Sequence, residues 1–87
     1  MDPAIPNRDD QHGGVEAVGI VSQSIKLSMH IRPGWGLLSA GGQEALEMIA
    51  HKVGRILSGR DPHDRQHWED IAGYAHAAMR SFDQAGR

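Results

Sequence analysis

Residues 44–78, EALEMIAHKVGRILSGRDPHDRQHWEDIAGYAHAA, constrain the fold more than any other part of the chain. Leu46, Ile49, Val53 and Ile56 recur at gaps of three and four, the period of one helix face. A second helical pattern runs from about His67 to Phe82. Its expected buried side is Trp68, Ile71, Ala72, Ala75, Ala78, Met79 and Phe82. Between the two, Gly59 and Pro62 mark a helix end. Helices joined by so short a loop are expected to pack antiparallel. Each also carries small residues four apart, Ala50-x-x-x-Gly54 and Gly73-x-x-x-Ala77. Such a stripe lets two backbones approach closely. Gly73 is costly in mid-helix, so it is expected to be there to admit the second helix.

Upstream, helical spacing begins at Val15. Val15, Val18, Ser22, Ile25 and Met29 form one stripe, and Ile20 and Leu27 lie on another side. An apolar arc that wide predicts two contacts, one within the subunit and one with a neighbour. Gly19 permits a close crossing or a bend. Pro33-Gly34 stops this helix. PGWGLLSAGG then reads as a loop folded over the core, with Trp35 as its plug and Leu37 and Leu38 beside it. Ser39 is placed to cap the second helix. Residues 1–14, with Pro3, Pro6 and Gly13-Gly14, read as a flexible tail, and 84–87 as a frayed end. The expected fold is all-α. One helical domain over 15–83 holds three helices, the second and third as a close antiparallel hairpin, assembled as an oligomeric bundle.

Composition narrows the function. A chain of 87 residues without cysteine has neither disulfides nor thiolate metal sites to brace a small core, so homo-oligomerisation is expected. Nine basic against eleven acidic residues give a formal charge of -2, too balanced for a nonspecific nucleic-acid binder. No run is apolar enough to span a membrane, and MDPAIPNRDDQ has no apolar core of a secretory signal. The expected location is cytoplasmic, in the host if a phage encodes the chain.

The polar residues suggest one site. In an antiparallel hairpin Arg55 falls near Asp70 and His51 near Tyr74. A partly buried carboxylate needs a partner, and the guanidinium of Arg55 fits one bidentately; Lys52 is the second candidate. The pair is either a structural lock on helix register or part of a polar site with Glu47, His51, Lys52, Arg55, Asp70 and Tyr74 around it. His63-x-x-x-His67 has metal-ligand spacing, but no third ligand is evident beyond Asp64 or Asp70. Neither a Walker-type phosphate loop nor a Gly-x-Ser-x-Gly elbow is present. Ser22, Ser24 and Ser28 have no evident base.

EALEMIAHKVGRILSG followed by HWEDIAGYAHAA resembles a family of small uncharacterised bacteriophage and prophage proteins, a domain of unknown function. Its members combine an upstream HG segment, a glutamine-bearing first helix, EALxMIAxKxxRIL-G and W-DIAGYA. Here the matching pieces are His12-Gly13, Gln23 and the two blocks, covering roughly residues 11–79. Gly14 and Val15 stand where the family has an acid and an aromatic, which implies an altered site if that segment contributes. A more distant resemblance is to MazG-type nucleotide pyrophosphohydrolases, all-helical oligomers that bind magnesium through acid pairs on two helices. Glu44-x-x-Glu47 has the first spacing, but His67-x-x-Asp70 puts histidine in an acid's place. In another register, Lys52-x-x-Arg55 puts cations in place of the first acids. The metal set is incomplete either way.

Three functions follow as expectations. The first is a noncatalytic phage accessory protein that binds a nucleotide or similar anion, for instance as a sponge for host signalling nucleotides. The second is a reduced MazG-like metal-dependent pyrophosphohydrolase. The third is a helical oligomerisation module. The first assigns no catalytic residue, metal ligand or cofactor.

Overall fold

The computed structural model describes residues 14–86. Their regular structure is entirely helical: α1 (Val15–His30), α2 (Pro33–Leu37), α3 (Ala40–Ser58) and α4 (Arg65–Gln84). The all-α expectation holds, with four helices in place of three. Of the expected tail, only Gly14 lies within the described residues, as the N-cap of α1. None of these helices is long and apolar enough to cross a membrane.

The helix ends follow from local chemistry. The hydroxyl of Ser39 accepts the Gly42 N–H at 3.1 Å and caps α3, as expected. Gly59 closes α3 by donating its N–H to the Arg55 carbonyl at 3.0 Å. The fourth helix begins two residues earlier than expected, because the Asp64 carboxylate accepts the Gln66 N–H at 3.0 Å. The indole N–H of Trp68 donates to the Pro62 carbonyl at 3.0 Å, tying the first turn of α4 to the preceding loop.

The segment read as a loop contains α2. Proline presets the backbone angle of a first helical turn, so Pro33 starts this helix as well as ending its predecessor. The expected lid is corrected too. Leu37 is 84 % exposed. Trp35 is half-buried and lies against the imidazole of His30, ring centroids 4.6 Å apart. It is a stacking partner at the end of α1, not a core plug.

Helix α3 is the centre of the fold. It packs along both α1 and α4, and those two meet each other at most marginally. A helix with two neighbours cannot bury a single seam against both, and this reshapes the expected core. Among the described residues the buried apolar side chains are Val18, Ala45, Ala50 and Ile56. Of the expected seam, Ile56 is buried, Ile49 and Val53 are half-buried and Leu46 is exposed. On α4, Trp68, Ala72 and Met79 are exposed where burial was expected. The α1 stripe fares better: Val18 and Ser22 are buried and Ile25 and Met29 half-buried, although Val15 at its start is exposed.

The small residues of α3 explain its closest contact. A Cβ built on Gly54 would stand 2.8 Å from the backbone carbonyl oxygen of Val18 and 3.2 Å from that residue's side chain. Ala50-x-x-x-Gly54 therefore admits α1. Gly73 is exposed, and a Cβ there would meet nothing within 4 Å. The expectation that Gly73 admits the second helix is wrong. Contacts between α3 and α4 instead pair Lys52 with Asp70, and Gly41 and Gly42 with Ser81 and Phe82.

Candidate functional site

The expected site residues divide into three local groups. Glu47, His51 and Arg55 recur every four residues along α3 and so share a face. Arg55 donates its Nε hydrogen to His51 Nε2 at 3.1 Å. That ring nitrogen is thus an acceptor and carries no proton. Burial holds the His51 pKa below its usual value, and the charges of Arg55, Lys26 and Lys52 lower it further. A neutral imidazole sits among three cations.

The second group joins α3 to α4. Lys52 Nζ lies 2.8 Å from Asp70 Oδ2, and the Gln66 amide donates to Asp70 Oδ1 at 2.8 Å. The expected Arg55–Asp70 pair is therefore corrected to Lys52–Asp70. Three residues turn a helix by about 300°, so Arg55 sits roughly 60° round from Lys52, out of line with α4. The Lys52 ammonium holds the Asp70 carboxyl below the ordinary carboxylate value, with the Gln66 hydrogen bond as the second cause.

Tyr74 belongs to neither group. It is half-buried and lines an apolar cleft between α3 and α4 with Glu44, Ala45, Met48 and Ala77. Glu47 turns the other way, and its carboxylate lies 2.8 Å from His30 Nε2 on α1. With Trp35 against the same imidazole, His30 links α1, α2 and α3. Lys26 and His30 were missed in the sequence, although a signal existed. They follow Ser22 at intervals of four, on the side of α1 that meets α3.

Two cations in this region, Lys26 and Arg55, have no acidic partner within ion-pair distance among the described residues. Among the described residues Arg55 uses only Nε, which leaves the two terminal nitrogens of its guanidinium fork for another acceptor. The acids nearby are occupied, Glu47 by His30 and Asp70 by Lys52. Glu44, Glu47 and Asp70 do not converge: no three His, Asp or Glu side chains among the described residues are grouped to hold a metal ion. Of the His63-x-x-x-His67 pair, His67 is buried and His63 exposed. Gln23 is exposed on α1, and His12-Gly13 lies outside the described residues. No family model, curated protein or solved structure matches the chain.

Proposed function

We propose that this protein is a noncatalytic binder of a nucleotide or similar phosphate-bearing anion. The observation that supports this is a pair of cations, Lys26 and Arg55, with no acidic partner among the described residues, beside a neutral His51. A guanidinium with both terminal nitrogens free matches two phosphate oxygens, and an ammonium adds charge without demanding geometry. His51, neutral and accepting the Arg55 Nε hydrogen at Nε2, adds no positive charge of its own and holds the guanidinium in place. Because Glu47 and Asp70 are already paired, an incoming anion does not have to displace a cation from either.

The resemblance to small phage proteins adds a biological frame, an accessory protein that sequesters nucleotides in the host cytoplasm. In the same frame, α3 and α4 form an antiparallel hairpin within a homo-oligomeric bundle.

The test is thermal shift and calorimetry with pyrophosphate, ADP and ATP, with and without magnesium. A ligand at one hundred times its Kd stabilises by about 2.7 kcal/mol, a shift of several degrees for a chain this small. The shift is expected without magnesium, and Arg55→Ala should remove it while leaving the helical circular dichroism intact. Release of phosphate or pyrophosphate with magnesium would move the assignment to a MazG-like pyrophosphohydrolase. A chain indifferent to all three ligands would be left as an oligomerisation module.

A further inference from the structure

We propose that a second copy of this chain packs antiparallel along the outward side of α1, with Ile20 of each copy level with the partner's Leu27. The inference is independent of anion binding and rests on a different part of the molecule.

Helix α1 spends its Val18–Ser22 side on α3. Ile20 and Leu27 lie on roughly the opposite side and are 62 % and 67 % exposed. Ile31, at the C-cap, continues the stripe at 69 % exposure. The seven-residue interval between Ile20 and Leu27 is the repeat that keeps one seam facing a partner helix. The polar residues at its middle are compatible with such a seam. Ser24 already donates its hydroxyl hydrogen to the Ile20 carbonyl at 2.7 Å, so it brings no unmet donor. Gln23 falls beside the two-fold axis, where its amide can both donate to and accept from its own copy.

Charge selects the occupant and its direction. Glu16 stands in the first turn of α1, and Arg32 follows just past its end. Both are exposed, and neither has an ion-pair partner among the described residues. An antiparallel copy brings Glu16 beside the partner's Arg32, and the two-fold axis makes that contact twice. It also opposes the two helix dipoles. A parallel copy would set Glu16 against Glu16 and Arg32 against Arg32. The stripe therefore has, in its own ends, the complement it needs.

Size sets the strength. A helix of sixteen residues is about 24 Å long. One seam of that length falls short of the roughly 800 Å² per partner of a standard interface. The dimer is accordingly a weak one, with a Kd in the micromolar range.

Sedimentation equilibrium of the full chain across micromolar concentrations tests this. The expected species is a dimer of about 19 kDa, twice the 9.5 kDa of one chain. Leu27→Glu, or Ile20→Lys as a second variant, should leave a monomer with unchanged helical circular dichroism, since both side chains are exposed. Arg32→Glu should weaken association by about tenfold, the effect of two surface pairs turned repulsive. Adding Glu16→Arg to that chain should restore it. The proposal is overturned by a wild-type monomer throughout, or by a dimer that survives Leu27→Glu. It is equally overturned by loss on Trp68→Glu instead, or by a double charge swap that fails to recover the loss.

Discussion

Ala50-x-x-x-Gly54 and Gly73-x-x-x-Ala77 are the same motif in sequence and opposite features in the fold. At Gly54 the backbone of α1 comes so close that even a Cβ would press on the Val18 carbonyl. At Gly73 there is open space. Two small residues four apart permit close packing; they do not say what packs. The deciding factor is which side of each helix has a neighbour. Helix α3 has one on either side, so its small stripe is used by α1 and its Lys52 side by α4. Helix α4 has α3 on one side only, and Gly73 looks away from it.

The difference has an energetic counterpart, and the largest expected effect tests it. Gly54→Leu should cost more than about 3 kcal/mol, because overpacking here meets backbone that cannot rotate aside. Gly54→Ala should still cost about 1–2 kcal/mol, the clash outweighing the roughly 1 kcal/mol of helix propensity gained. Urea melts followed by circular dichroism provide the measurement. A Gly54→Ala protein as stable as the parent would mean that α1 and α3 are further apart than the structure places them.

Gly73 should respond with the opposite sign. In an exposed helix interior, glycine to alanine removes unfolded-chain entropy and meets no atom, so Gly73→Ala should stabilise by about 0.5–1 kcal/mol. Even Gly73→Leu should be tolerated. A loss of several kcal/mol in either variant would show that Gly73 lies against another surface after all, such as a partner subunit.

This pair also shows where sequence reasoning stops. The three long helices were legible because apolar period, Ser39 and Gly59 all speak to local structure, which the chain writes locally. The short α2 was not, since Pro33 serves equally as a stop and as a first turn. Partner choice was legible only in part. The expectation that Asp70 takes a cation from the preceding long helix holds, but the cation is Lys52. Which of two cations faces α4 depends on the roll of α3 about its axis, and α1 sets that roll through Gly54. Similarly, the Glu47, His51 and Arg55 face is legible on α3, whereas Lys26 and His30 come from a helix whose neighbour periodicity alone does not name. Trp68 and Met79 matched a helical apolar stripe yet remain exposed, because periodicity identifies a face and not its cover.

The smallest expected effect separates the two contacts of α3 by pH. On the α1 side, burial and the charges of Arg55, Lys26 and Lys52 depress the His51 pKa in the folded protein. A group depressed on folding adds stability that is fully present above its ordinary value, 6.5 here, and is lost as pH falls through the folded value. On the α4 side, Lys52 and Gln66 depress the Asp70 pKa below an ordinary 3.8. The sign is the same but the window lies lower: that stability is present above 3.8 and lost as pH falls through the folded value. Stability should therefore decline in two stages on acidification, first from the α1 contact and then from the α4 contact. Replacing His51 by Gln should flatten the first stage and leave the second, and Asp70→Asn should do the reverse. Chemical denaturation at half-unit pH steps resolves the two stages. If His51→Gln leaves the slope below pH 6.5 unchanged, the imidazole is not the neutral group held between Arg55 and Lys26. The anion site would then lose the hydrogen-bond acceptor that orients Arg55.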